Sequence, residues 1–211
     1  KQINASTLYN YVQCPRRVQL DFFGDPSKRD RVSAFVELLW ERGNAFELET
    51  MERLDEPFVD LRTLKPAEKE LQTLRVMRSG EKIIYGGRIR TDTLVGEPDL
   101  LVRKGDGYVA GDIKSGAGIE GMDDESDGKL KRHYAVQLAL YTDILGQTGF
   151  LSRDHFPFIW DVHGQEIAYD LETPISKREG RSLWNLYEEC LNAVIGIKRG
   201  EQEPLAALCA V

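Results

Sequence analysis

The feature that most constrains this chain is a pair of short apolar runs. They are Gly96-Glu97-Pro98-Asp99-Leu100-Leu101-Val102 and Gly107-Tyr108-Val109-Ala110-Gly111-Asp112-Ile113-Lys114, joined through the turn residues Lys104-Gly105-Asp106-Gly107. Runs of this length, bounded by Gly and charged turn residues, read as the two strands of a hairpin. Side chains alternate across a strand, so Asp112 and Lys114 share one face while Ile113 points to the other, into a core. Asp99, on the preceding strand, brings a second carboxylate towards Asp112. Two carboxylates and a lysine on adjacent strands suit a divalent cation and a polarised water. An ordinary Asp–Lys ion pair at a strand end is the commoner use of such residues.

Further along, Lys129 to Leu145 has helical spacing, with Tyr134, Leu138, Tyr141 and Leu145 on one stripe. Gln137 and Tyr141, four residues apart, share a face that can lie beside the carboxylates. The order of these pieces is Gly-x-Pro-Asp, then Asp112-Ile113-Lys114, then Gln137-Leu138-Ala139-Leu140-Tyr141. It resembles the PD-(D/E)xK nuclease superfamily, and most closely the RecB-type branch to which the CRISPR-associated nucleases belong. Cys14-Pro15-Arg16-Arg17 near the amino terminus is similar to that branch as well, so the resemblance runs from about Ser6 to Tyr141.

The resemblance implies an α/β fold, a mixed central β-sheet flanked by helices with a restriction-endonuclease-like core. It implies one nuclease domain over residues 1–211: a helical segment 1–54, a catalytic core 55–175 and a carboxyl-terminal helix 176–211. The implied activity is a metal-dependent deoxyribonuclease, an exonuclease on single-stranded DNA ends. Its partners would be a helicase or other recombination, repair or CRISPR proteins. Asp99 and Asp112 would hold Mg²⁺ or Mn²⁺, with Glu47 and the Ile113 carbonyl completing the shell; oxygen ligands suit such hard cations. Lys114 would orient the attacking water or stabilise the phosphate, and Gln137 and Tyr141 would position the scissile phosphate or support Lys114. The alternative is a catalytically weak or inactive nuclease-like module that grips DNA within a larger assembly.

Glu47 comes from a helix expected over Ser33 to Leu54, where Val36, Trp40, Gly43, Glu47, Met51 and Leu54 recur at helical steps. A glutamate inside an apolar stripe needs a cation or a donor facing it. Pairing with Arg88 or Arg90 is the structural explanation, and a metal the functional one. RecB-type nucleases commonly carry a metal-binding histidine four residues after a glycine on this helix; here Glu47 follows Gly43, and other branches use glutamate there.

Composition sets the outer bounds. With 211 residues the chain is long enough for one sizeable core. A formal net charge of −7 argues against a protein that coats nucleic acid by bulk electrostatics, but not against a metal site built from carboxylates. No apolar run is long enough to cross a bilayer and no signal pattern opens the chain, so a cytoplasmic location without membrane contact is expected. A first residue of Lys rather than Met suggests a missing start. Cys14 stands where many RecB-type relatives place one ligand of a 4Fe-4S cluster, and Cys209 where their carboxyl-terminal group begins. The third thiol, Cys190, falls on an apolar helical stripe and reads as core. Three thiols cannot make an ordinary four-thiolate cluster, so such a cluster requires a longer form of the protein.

The rest of the chain supplies scaffolding. Ser6 is read as the cap of a first helix and Pro15 as the first turn of a second. Phe58 to Leu61 reads as a strand and Pro66 to Ser79 as a polar helix. Ile83 to Arg90 reads as one core strand bulged at Gly86-Gly87. The Gly-rich acidic stretch Ser115 to Gly128 is expected to be a mobile linker or a lid. Phe156 to Leu171 reads as a hairpin turning at His163-Gly164-Gln165, with Pro157 marking a sheet edge, and Ser176 to Lys198 as a last helix ended by Gly200. None of the histidines His133, His155 and His163 falls in a position that demands a catalytic role, and His133 is read as a solvated surface group rather than a DNA contact.

Overall fold

The computed structural model describes residues 2–123, 126–176 and 179–201. Its first elements are β1 (Ile3–Asn4), α1 (Ala5–Gln13), α2 (Pro15–Phe23) and α3 (Ala34–Glu52). There follow β2 (Val59–Asp60), α4 (Pro66–Ser79), β3 (Ile83–Tyr85), β4 (Ile89–Arg90), β5 (Leu94–Gly96), β6 (Leu100–Lys104) and β7 (Gly107–Ile113). The chain continues through β8 (Ile119–Asp123), β9 (Ser126–Leu130), α5 (Arg132–Thr148), β10 (Phe158–Trp160), β11 (Glu166–Ala168), β12 (Pro174–Ser176), β13 (Glu179–Ser182) and α6 (Leu183–Arg199).

The main sheet runs β11-β10-β7-β6-β3-β2 among the described residues. The β7–β10 and β2–β3 pairings are parallel and the others antiparallel, so the sheet is mixed and the protein is α/β. Alternation along its strands divides the core in two. Ile84, Leu101, Tyr108, Ala110 and Ile159 face α1, α5 and α6. Their neighbours Ile83, Tyr85, Leu100, Val109, Ile113 and Phe158 form a second cluster with Met51 of α3. A period of two fixes which residues take which side. β7 is buried along its whole length, as an interior strand covered on both faces must be. No helix among the described residues is long and apolar enough to cross a membrane.

Several expectations need correction. Asn4, not Ser6, caps α1, its side-chain oxygen accepting from the Thr7 amide at 2.8 Å. The expected single strand Ile83–Arg90 is two strands in different sheets: β3 joins the main sheet, and β4 pairs with β5 beside β1. Gly86 takes a φ of 65°, open to glycine and strained for other residues, and turns the chain between them. Glu97-Pro98-Asp99 likewise links β5 to β6 rather than continuing one strand. Pro157 is not at an edge, because β10 lies between β7 and β11; it precedes the strand and so needs no ladder donor. Ser115 to Gly128, expected as a mobile linker or a lid, includes β8 and most of β9, an antiparallel pair in register from Ile119↔Leu130 to Asp123↔Ser126. Its base is anchored where the Tyr169 hydroxyl donates to the Gly118 carbonyl at 2.6 Å.

The largest departure is α3. Ser33 caps it as the pattern requires, yet only Met51 on it is fully buried. Phe46 and Leu54 pack beside Met51 against the second cluster, while Phe35, Leu39 and Trp40 are 68%, 49% and 56% exposed. The apolar stripe therefore meets the core only at its carboxyl-terminal end.

Candidate active site

Asp112 is the last-but-one residue of β7, and its side chain lies on the α5 side of the sheet, only 1% exposed. Asp99 lies just before β6, so the antiparallel register brings the two together. They lock reciprocally: Asp112 Oδ1 accepts from the Asp99 amide at 3.2 Å, and Asp99 Oδ2 accepts from the Ile113 amide at 2.7 Å. Lys114 reaches back over both, its Nζ 3.0 Å from Asp112 Oδ2 and 3.8 Å from Asp99 Oδ2. The convergence read from the hairpin is therefore present, and Ile113 points to the opposite face, into the second core cluster.

Charge on this cluster is strained. Burial first, and the Asp112 carboxylate second, raise the Asp99 carboxyl to about 8, partly offset by Lys114. Burial opposes the Lys114 ammonium, but Asp112 and then Asp99 outweigh it, so its pKa lies above the ordinary lysine value. The lysine is held as a cation between two carboxylates. Its Nζ also lies 5.9 Å from the centre of the Tyr134 ring, which Lys131 approaches to 5.2 Å.

Gln137 and Tyr141 stand on α5, one turn apart. The Gln137 amide donates to the Tyr141 hydroxyl at 3.2 Å, and that hydroxyl donates to the Glu97 carbonyl at 3.4 Å. They therefore brace the peptide leading into Asp99, and the contact with Lys114 considered from the sequence is not the one their hydrogen bonds make. Burial, then Asp112 and Asp99, keep the Tyr141 phenol protonated. Both residues also line a cleft of about 410 Å³ with Gln2, Asn4, Ser6 and Arg88. Gly96 explains the fit: a Cβ there would stand 2.5 Å from Tyr141 Cδ1, so only glycine lets the ring lie against β5.

Glu47 approaches from the other side of the sheet on α3. Its expected partners are taken: Arg88 pairs with Glu70 and Glu97, and Arg90 with Glu70. Glu47 instead faces Tyr85, whose phenol is raised by burial first and by Glu47 second, and its charge is felt at Asp99. Arg62 completes that side, bound to Asp60 at 2.7 Å with its guanidinium carbon 4.1 Å from the Tyr85 ring centre. Tyr85 and Arg62 were not expected at the site from the sequence. The signal for Tyr85 was its register opposite Leu100, which sets it next to Asp99.

Among the described residues no group of three or more His, Cys, Asp or Glu is drawn together as a ready-made metal cage. Asp99 and Asp112 are a pair, and Glu47 stands off on a different element. One atom nonetheless fits a cation: Asp112 Oδ2 is fully buried and has no well-angled hydrogen-bond partner, only the Lys114 charge. A buried carboxylate oxygen left in that state is costly unless a positive group satisfies it.

The thiols give less. Cys14 sits at the junction of α1 and α2, Cys190 is buried on α6 with its pKa raised to about 11 by burial, and Cys209 lies outside the described residues. His133 is not a solvated surface group: it is half-buried, its ring 4.9 Å from Tyr9 and 4.5 Å from Tyr134. No protein-family model matches the chain, and no curated protein matches it.

Proposed function

We propose that this chain is a metal-dependent nuclease of the PD-(D/E)xK type, with a restriction-endonuclease-like core similar to that of the RecB-type branch. It would hydrolyse DNA phosphodiesters and act on single-stranded ends. The observation that carries the reading is the convergence of Asp99, Asp112 and Lys114 at one end of β6 and β7, braced through Glu97 by Gln137 and Tyr141. The order β10-β7-β6-β3, with α5 lying against β7, supports the same core.

Asp99 and Asp112 would hold Mg²⁺ or Mn²⁺, with Glu47 and the Ile113 carbonyl available to complete the shell; all are oxygen donors, which suits a hard cation. A cation bound there lowers the pKa of its water and neutralises charge developing on the phosphate. Lys114, held protonated, serves as positive charge towards the phosphate and not as the base. Tyr141 and Gln137 keep the Glu97 peptide, and with it Asp99, in register. An iron–sulfur cluster would need thiols beyond the three here, so it belongs to a longer form of the protein, with Cys14 and Cys209 among its ligands.

The test is cleavage of a linear single-stranded oligonucleotide labelled at one end, with Mg²⁺ or Mn²⁺ and then with EDTA. Cleavage that needs the metal is expected. Activity undiminished in EDTA would contradict the mechanism, and tight DNA binding without cleavage in either metal would favour the non-cutting module.

A further inference from the structure

The amino-terminal half of α3 leaves an aromatic face uncovered where a substrate would lie. On a helix at 100° per residue, Phe35, Val36, Leu39, Trp40, Gly43, Phe46, Glu47 and Met51 fall within one broad sector. At the carboxyl-terminal end that sector is the one packed on the core, through Phe46 and Met51. Gly43 passes the end of β7, a Cβ there lying 3.9 Å from Ser115 Oγ, and Ser115 directly follows Lys114. From Gly43 towards its start, the helix runs beyond the sheet, and the sector carries Trp40 into the open at one margin and Phe35 at the other.

The connection explains why. α2 packs with α1 and α6, on the α5 side of the sheet, whereas the far end of α3 packs on the opposite side. Residues 24–45 must therefore cross the end of the sheet, and the Gly43–Ser115 approach fixes that crossing at the Asp112–Lys114 end. Trp40 lies seven residues, about 10 Å of helix axis, from Glu47 on the same face. The segment leading into the helix carries the exposed Lys28, Arg29 and Arg31, interspersed with Asp25 and Asp30, and Arg29 pairs with Asp21. The exposed Leu38 and Leu48 fall on other sides of the helix, and the exposed Leu39 shares the sector with Phe35 and Trp40.

We infer that Trp40 is a stacking platform for bases of a single strand whose backbone runs past Asp99, Asp112 and Lys114. The ligand follows from the nuclease reading above and rests on it. Flat rings beside a phosphate-handling site, with basic residues on the approach, are what sequence-tolerant single-strand binding uses. A duplex keeps its bases stacked inside and offers no free face to an indole. The platform therefore also distinguishes single strands from intact duplex.

The experiment measures binding without cutting. In an Asp112→Asn background, Trp40→Ala and Trp40→Phe are compared by fluorescence anisotropy on a labelled oligothymidylate and on its abasic counterpart. Trp40→Ala is expected to weaken oligothymidylate binding about tenfold, the scale of one lost base–aromatic stack. Trp40→Phe should retain most of the affinity, and the abasic strand should bind both variants alike. Trp40 is exposed, so circular dichroism should be unchanged. Equal oligothymidylate affinity for Trp40→Ala and the Asp112→Asn background, or an equal loss on the abasic strand, overturns the inference. So does a Trp40→Ala protein whose only change is dissociation of a dimer in sedimentation, which would assign the face to a second copy. A parent chain that fails to cut with Mn²⁺ while the Trp40 effect stands would refute the nuclease reading alone.

Discussion

Asp112 and Trp40 belong to segments that pass each other at one end of the sheet, yet they are held very differently. β7 is flanked by β6 and β10, covered by α5, and tied at its end, where Asp112 accepts from the Asp99 amide and Asp99 from the Ile113 amide. α3 has an equally regular apolar stripe, but it meets the core over its last turns only. The difference shows what periodicity does and does not say. A stripe at helical spacing states that one face is apolar; it does not state that the rest of this chain covers it. Rigidity at the site comes from the strands, and the α3 face is left for something else.

The largest expected effect lies on the strand side. Asp112→Asn and Lys114→Ala should each lower the cleavage rate by about a thousandfold or more, since charge aimed at the reacting phosphate acts mainly in the transition state. The melting temperature of Asp112→Asn should stay close to the parent's, whereas Lys114→Ala, which leaves the buried Asp112 carboxylate without its cation, should lose stability. Parent-like rates in either variant would mean that β7 is not where the chemistry happens.

Next in size is a stability contrast. Leu138→Ala, in the buried face of α5, should cost about 2–5 kcal/mol, whereas Leu39→Ala on α3 should stay within about 0.5 kcal/mol. Urea denaturation measures both. A large cost for Leu39→Ala would close the proposed opening and break the comparison. Gly96→Ala should fall between, at about 1–3 kcal/mol, with reduced cleavage because the Tyr141 ring must move.

Glu47 joins the two regions. Glu47→Ala should raise the Mn²⁺ concentration needed for half-maximal cleavage while leaving the metal-free protein no less stable, because Arg88 and Arg90 already pair with Glu70. A marked drop in the metal-free melting temperature would show that Glu47 is structural.

The smallest effect concerns His133. Burial first, and then Lys131, hold its pKa below the ordinary value, with Lys114 adding to this and Glu120 opposing it; the rings of Tyr9 and Tyr134 enclose it. Below about pH 6.5 the unfolded chain takes up a proton that the folded chain resists. The stability present above that pH is therefore lost as the pH falls through the folded pKa. Melting temperatures from pH 7.5 to 5 should decline less steeply in His133→Gln than in the parent, and parallel curves would contradict this.

The sequence was most legible where one local rule sufficed. Alternation and a Gly-containing turn placed the Asp99–Asp112–Lys114 hairpin, and Pro66 and Gly200 marked real helix ends, the latter at a φ of 73°. It was least legible where the answer lay in distant partners. Nothing local distinguishes the buried stripe of α5 from the open one of α3. Nothing local shows that Gly86 sends β3 and β4 into different sheets, or that Asn4 outcompetes Ser6 as a cap because β1 delivers it there. The pairing of β8 with β9 was hidden by charged residues and glycines, which a two-stranded hairpin outside the main sheet accommodates. The arginines weighed as partners for Glu47 have closer carboxylates, and Gln137, expected to position the phosphate or support Lys114, donates to Tyr141.

The central claim is that the carboxylates closing β6 and β7 form a divalent-cation site. Its most direct test is a titration of Mn²⁺ into the protein, followed by the paramagnetic resonance signal of the free ion, for the parent chain and for Asp112→Asn. The account predicts saturable uptake by the parent and its loss in Asp112→Asn at unchanged fold. Equal uptake by the two proteins, or none by the parent, would contradict it.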